Sequence, residues 1–375
     1  MYYNRITNGL VLGVLLLAGP TLFGADGLMK PVTPNASPEA VELLKFIYNI
    51  SGKHTLTGQH NFPNTKDAST QTAIHIYGKV PAIFGQDFGF AKPGDKDAVA
   101  ARPEIIAEVK RQYEKGSIIT LCWHAVPPMA DEPVTFRPSP GIAPTNGLAS
   151  VQGRLTDQQW NDLTTPGTEL YQRWCAQVDV IAGYLKQLQD AHIPVLWRPY
   201  HEMNGEWFWW GGRRGQRGTP VIYRQLFDRL VNHHKLNNLI WIWSVDRPST
   251  PPRQFVDFFP GANCFDIAAL DVYGSDFKQS YYDDLLKLAA GKPITLAEVG
   301  PPPTPAVLEQ QPKWAWWMTW AGMGRRGANT NALVTLVNNP RSWSLSDPAY
   351  QAAMAPLRAA AGLPSLPQAA KQSAQ

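Results

Sequence analysis

Residues 197–211 read Trp-Arg-Pro-Tyr-His-Glu-Met-Asn-Gly-Glu-Trp-Phe-Trp-Trp-Gly. Pro194, Val195 and Leu196 lead into this stretch as an apolar run. Successive side chains of an extended strand point to opposite faces. The spacing therefore predicts a strand over residues 194–202 with Arg198, Tyr200 and Glu202 on one face. A carboxylate ends that face, and a loop of four aromatic residues, Trp207 to Trp210, follows. A buried strand that ends so reads as the wall of a binding or catalytic site.

Seven more apolar runs flank this one, giving expected strands at residues 55–60, 80–88, 117–124, 194–202, 239–246, 265–273, 293–298 and 315–320. Several are nearly continuous apolar runs, as in parallel strands buried on both faces. Residues 332–337 are also apolar and compete for the eighth position. Amphipathic stretches at 102–115, 168–192, 219–235 and 281–290 separate the runs. Eight alternating β and α units predict an α/β fold, a single-domain (β/α)8 TIM barrel. Such domains run to about 250 residues or more, which the 375-residue chain accommodates. Polar or aromatic residues gather at the C-terminal ends of the runs: His60, Asp87, Trp123, His124, Glu202, Asp246, Asp271, Tyr273, Glu298 and Trp320. A barrel brings all those ends to one face. No glycine-rich phosphate loop follows the first strand, which argues against a nucleotide-binding sheet.

The chain ends read differently. Arg5, the apolar run at 10–18 and the small residues Gly19, Gly24 and Ala25 form a signal-peptide pattern, so residues 1–25 are expected to be removed and the protein secreted, to the periplasm or beyond the cell. No later run is long enough to cross a membrane. Ser37 and Pro38 open a helix to residue 50 with Val41, Leu44 and Tyr48 on one face. The catalytic domain is expected at 26–361, and the tail at 362–375, rich in Pro, Gln, Ala and Ser, is expected to be disordered. Residues 126–166 carry Pro127, Pro128, Pro133, Pro138, Pro140 and Pro144, and are expected to wall one side of a cleft. Cys122, Cys175 and Cys264 show no zinc spacing and are read as free thiols, with a disulfide left open.

A net charge of +4 with no basic run argues against nucleic acid and toward a neutral partner. Fourteen tryptophans are more than a core of this size needs, and their flat faces suit stacking on sugar rings. Glu202 and Glu298, each ending a strand, supply the two carboxyl groups that glycosidic cleavage requires: one protonates the leaving oxygen, and the other attacks the anomeric carbon or activates water. Either glutamate alone would read as a salt-bridge partner of Arg198 or Arg247. Trp209 and Trp210 read equally as packing or as substrate contacts. His54, His60 and His75 do not form a metal set, and no metal or cofactor is expected. Asp87 is not expected to be catalytic.

The run His201-Glu-Met-Asn-Gly-Glu-Trp-Phe-Trp-Trp-Gly211 resembles the acid/base motif of glycoside hydrolase family 26, best known for endo-β-1,4-mannanases. Trp123-His124, Asp271-Val-Tyr273, Ala297-Glu298 and Trp317-Met-Thr-Trp320 extend the resemblance in the family's order over roughly residues 40–345. It implies retaining double displacement on β-mannan, glucomannan or galactomannan, with Glu202 as acid/base and Glu298 as nucleophile. It also implies that His201 and Tyr273 orient the nucleophile, that Trp320 is the platform under the −1 sugar, that Trp207 lines the cleft, and that His124 contacts the sugar hydroxyls. Trp123 and Arg198 complete the expected substrate-binding set. The lesser alternative for His124 and His201 is that they are ordinary hydrogen-bonded structural histidines. A monomer is expected. The short stretch after Glu298, beginning Pro301-Pro302-Pro303, leaves endo against exo action open. Other β-glycans, such as β-1,3-xylan or mixed-linkage glucan, remain alternatives, as does a non-catalytic carbohydrate-binding barrel.

Overall fold

The computed structural model describes residues 29–91, 96–97, 99–132, 134–143, 146, 148–323 and 330–367. The expected leader at 1–25 and the last residues of the expected tail lie outside them. In chain order the main elements are α1 (Pro38–Ile50), β1 (Thr55–His60), α2 (Ala68–Tyr77), β2 (Ile83–Asp87), α3 (Arg102–Glu114), β3 (Ile118–Trp123), α4 (Asp157–Leu163), α5 (Glu169–Gln189) and β4 (Val195–Pro199). There follow α6 (Thr219–Phe227), β5 (Leu239–Asp246), β6 (Ile267–Tyr273), α7 (Gln279–Ala289), β7 (Ile294–Gly300), α8 (Pro305–Gln310), β8 (Trp314–Thr319), α9 (Thr330–Val337), β9 (Ser342–Trp343), α10 (Pro348–Ala353) and α11 (Ala355–Ala360).

Strands β1 to β8 pair in parallel, each with the next, and β8 returns to β1 through Leu56↔Trp316 and Gln59↔Thr319. The sheet is a closed eight-stranded barrel flanked by helices, as expected. Strand alternation divides the apolar residues into two clusters. Leu56, Ile83, Ile118, Leu196, Ile240, Ile242, Ile267, Trp316 and Met318 fill the barrel. Leu121, Trp123, Trp197, Trp241, Trp243 and Trp317 pack outward against the helices. Gly85 has no side chain where Met318 crosses the interior; a Cβ there would lie 2.5 Å from the Met318 sulfur.

Helix α1 begins where Ser37 Oγ accepts from the Ala40 amide at 3.4 Å, and Pro38 takes the first turn without losing a hydrogen bond. It buries Leu43, Leu44, Phe46, Ile47 and Ile50, whereas Val41 and Tyr48 of the expected face are only partly covered. The helix shares one apolar cluster with the barrel interior and with Tyr350, Met354 and Leu357 of the C-terminal segment, so two faces are covered rather than one.

Several expected boundaries shift. Residues 332–337 belong to α9, and β8 takes the eighth position. Strand β2 starts at Ile83, after Pro81, which has no amide to give the ladder. Helix α6 stops at Phe227 and passes into a π turn at Asp228–His233. Helix α2 was not expected; it is weakly amphipathic, and its start is held by Asn61, which accepts from the Thr70 amide at 2.9 Å. The disordered-tail boundary at 362 is also corrected. Leu366 is buried beside Gly116, and the Arg358 guanidinium donates to the Pro364 carbonyl. Cys122, Cys175 and Cys264 are all free and buried.

The Pro-rich segment at 126–166 is anchored at several points. Arg102 pairs with Glu132, Thr135 bridges to Ser150, and α4 carries a capping box between Thr156 and Gln159.

Candidate active site

Strand β4 ends at Pro199, three residues before the expected end. The chain turns left-handed at Tyr200 (φ 45°) and again at Glu202 (φ 50°). L-residues rarely adopt this conformation, and it persists only where the surroundings impose it. It breaks the strand alternation. The Tyr200 hydroxyl accepts from Trp174 Nε1 of α5 at 2.8 Å, out in the helical layer. Arg198 and Glu202 face the barrel mouth. The expectation that Tyr200 joins them is corrected.

The loop after Glu202 is locked by side-chain bonds to main chain. Asn204 accepts from the Asp246 amide at 2.7 Å and donates to the Asp246 and Arg253 carbonyls. Trp210 Nε1 donates to the His201 carbonyl at 2.9 Å, and Trp209 Nε1 to the Ala125 carbonyl at 2.8 Å. Both tryptophans are wholly buried, so they pack the loop and do not touch substrate. Gly205 is required because a Cβ there would lie 2.3 Å from the Trp207 ring.

Glu298 reaches the same mouth by another device. Leu270 pairs with Leu296, but the next pair is Asp271 with Glu298, so Ala297 is an extra residue in β7. Leu296 packs outward and Ala297 inward. Simple alternation would turn Glu298 outward, and the bulge re-aims it into the mouth. Its Oε1 accepts from Arg198 Nη2, and its Oε2 accepts from the Tyr273 hydroxyl at 2.8 Å. Arg198 Nη1 also donates to Asp271 at 3.0 Å and to Ser244 at 3.4 Å. One buried guanidinium thus serves two buried carboxylates, a pairing in which loss of the cation leaves both charges uncompensated.

Carboxyl oxygens of Glu202, Asp271 and Glu298 lie within 4.8 Å of one another. Three acids at this spacing could ligate a cation, but the Arg198 guanidinium already supplies positive charge to two of them. Glu202 is buried and accepts from Trp207 Nε1 at 2.5 Å. Burial first, then the charges of Asp271, Glu298 and Asp246, raise its carboxyl well above the ordinary value. Burial and Glu298 likewise raise the Tyr273 phenol, which keeps its proton to donate. Burial, with Arg198 beside it, lowers His201 far below the usual imidazole range, so its ring is neutral.

Aromatic rings close the pocket between the glutamates. Trp207 stands on the Glu202 side, with the Arg253 guanidinium 5.0 Å from its ring centre. Trp320 stands opposite, partly exposed and backed by His60, the rings stacked at 3.7 Å and 14°. Burial depresses His60 to about 3, so it backs the platform as a neutral ring. His124, His201 and Tyr273 complete the expected lining. Phe208, next to Trp207, also lines the pocket, and so does Phe136 from the Pro-rich segment, which was not expected. Trp123 is corrected: it is buried in the outer cluster, with its ring 6.5 Å from Tyr200. Cys122 and His124 point in, so the residue between them points out.

Residues 32–345 match the model of glycosyl hydrolase family 26. The mannan endo-1,4-beta-mannosidase of Thermothelomyces thermophilus is 32% identical over 307 residues, 80% of this chain and 58% of that protein. Two Piromyces relatives, both named as mannan endo-1,4-beta-mannosidases, are matched over 45% and 48% of their length. The chain therefore spans about half the length of these curated relatives. Among solved structures, GH26A of Muricauda sp. is 41% identical with a TM-score of 0.75, covering 84% of this chain and 98% of that one. A β-mannanase from a symbiotic protist of the termite Reticulitermes speratus, solved with a gluco-manno-oligosaccharide, is 25% identical with a TM-score of 0.70, covering 84% and 96%. Because the model match covers most of the chain and the solved barrels superpose on it, this chain belongs to glycosyl hydrolase family 26.

Proposed function

We propose that the protein is a secreted endo-β-1,4-mannanase that cleaves internal bonds of mannan, glucomannan or galactomannan with retention of configuration. The observation that carries this reading is the pair Glu202 and Glu298, whose carboxyl oxygens approach within 4.8 Å between aromatic walls. Retaining glycosidases hold their carboxyl groups about 5–5.5 Å apart, whereas inverting ones leave about 6.5–9.5 Å for a water. The names of the relatives and the oligosaccharide bound to the termite-protist enzyme support a β-mannan-type substrate.

In this reading the protonated Glu202 gives its proton to the leaving glycosidic oxygen while Glu298 Oε2 or Oε1 bonds to the anomeric carbon. The sugar is then esterified to Glu298, and the negative charge of that carboxylate is gone. One of the influences raising Glu202 is thereby removed. Glu202, now a carboxylate, takes a proton from water as that water attacks the anomeric carbon, and Glu298 leaves as a carboxylate. Each proton lost by Glu202 in the first step is regained in the second.

Secretion rests on the leader pattern of residues 1–25. Among the described residues no helix is long and apolar enough to cross a membrane.

The test is reducing-sugar release from a polymer panel by the purified mature chain. Release from mannans and glucomannan, with little from mixed-linkage glucan or β-1,3-xylan, supports the assignment. Good cleavage of those glucans or xylans without mannan cleavage overturns it, and polymer binding without any cleavage favours a carbohydrate-binding barrel.

A further inference from the structure

Asp87, at the end of β2, does not line the pocket, yet its carboxylate is fully engaged. Oδ1 accepts from two main-chain amides, Gly89 at 2.7 Å and His124 at 3.0 Å, and Oδ2 lies 2.5 Å from His124 Nδ1. A Cβ on Gly89 would lie 2.5 Å from the Cβ of His124, so only glycine lets the chain approach this closely. Burial alone would raise the Asp87 carboxyl, but the His124 ring and main-chain amide that hold it overcome this and keep it below the ordinary value. An ionised carboxylate can only accept, so the hydrogen lies on His124 Nδ1.

The line of contacts continues toward the reacting carboxylate. His124 Nε2 is 3.1 Å from His201 Nε2, and His201 Nε2 is 3.8 Å from Glu298 Oε1. The two imidazoles share one hydrogen, which can sit on either ring. On His124, it would leave a lone pair of His201 facing Glu298. The single proton of neutral His201 would then lie on Nδ1, a buried atom with no partner. On His201, it gives His124 a hydrogen bond and turns the N–H edge toward Glu298. The second arrangement avoids both a repulsive contact and a buried unsatisfied donor.

We propose that Asp87 is a positioning residue of the glycosidase site: through His124 it sets the tautomer of His201, so that an N–H and not a lone pair faces Glu298. This rests on the reading of Glu298 as the nucleophile. That N–H is donated to His124 at 3.1 Å, and its positive edge, 3.8 Å from Glu298 Oε1, favours the charge that returns to the carboxylate when the ester breaks.

Asp87→Asn is the discriminating variant. The two amides donating to Oδ1 oblige the new side chain to place its oxygen there, which turns its NH2 group toward His124 Nδ1. His124 must then accept at Nδ1 and carry its hydrogen on Nε2, and His201 must shift its own to Nδ1. Nitrogen-15 NMR of the imidazoles should find His124 protonated at Nδ1 and His201 at Nε2 in the wild-type chain, and both exchanged in the variant. On mannohexaose, kcat should fall on the order of 10²-fold with KM almost unchanged, as when a donor or a tautomer is lost at an enzyme site. Wild-type tautomers opposite to these overturn the relay even if the variant does not fold. So does a folded variant with unchanged tautomers or unchanged kcat. A wild-type chain inactive on every polymer overturns the functional reading instead, and its tautomers still decide the relay.

Discussion

Glu202 and Glu298 occupy the same barrel mouth with carboxyl oxygens less than 5 Å apart, but their surroundings have little in common. Glu298 lies within β7, two residues before its end, is re-aimed by one extra residue, and is gripped by a guanidinium and a phenol. Glu202 follows a left-handed break, sits in a loop held by buried tryptophans, and receives one neutral indole N–H among three carboxylates. Cationic and hydrogen-bond donors favour a carboxylate, while burial beside like charge favours the acid. In the proposed mechanism the same residue type is divided into a nucleophile and a proton donor by the groups placed around each carboxyl.

The sharpest way to break the comparison is to remove each glutamate in turn. Glu298→Ala should lower turnover of mannohexaose on the order of 10⁶-fold, as loss of a nucleophile does in another hydrolase, while polymer binding in affinity electrophoresis persists. Glu202→Ala should cost about 10²–10⁴-fold with natural leaving groups, the usual contribution of a general acid. Pre-steady-state bursts with an activated aryl β-mannoside should show glycosylation nearly unaffected, because that leaving group needs no proton. Equal losses on both substrates would erase the distinction between the two residues.

A third change tests the cation that holds the Glu298 side together. Arg198→Met leaves Glu298 and Asp271 buried without their partner, and urea unfolding should show a loss of about 3–5 kcal/mol. A loss below 1 kcal/mol would mean that water replaces the guanidinium. The smallest effect concerns the Glu202 side. Trp207→Phe keeps a ring but removes the N–H that lowers the Glu202 carboxyl. The carboxyl should rise further, so the alkaline limb of kcat/KM, where the acid loses its proton, should move to higher pH by less than about one unit, the equivalent of one hydrogen bond. A shift to lower pH would contradict the assigned role of the indole.

Much of this was legible in the sequence, for physical reasons. Parallel strands buried on both faces leave nearly continuous apolar runs, and all eight expected runs overlap the strands found. Both glutamates stand out because a charged residue at the end of such a run needs a reason. What stayed hidden depends on backbone irregularities without a residue signature. Nothing in the spelling of residues 197–202 announces that Tyr200 turns out to Trp174, or that β7 carries a bulge at Ala297. Trp123 was misplaced although alternation with Cys122 and His124 could have turned it outward. Phe136 reaches the pocket across a long loop, and Asp87 acts through His124; both contacts join residues that only the closed barrel brings together.

In the proposed double displacement Glu202 is the acid/base and Glu298 the nucleophile. Proton NMR of mannohexaose during digestion by the purified mature chain tests it most directly. The new reducing ends from mid-chain cleavage should appear first as the β-anomer and only later equilibrate. Initial α-anomer would mean single displacement with inversion and would contradict the role given to Glu298.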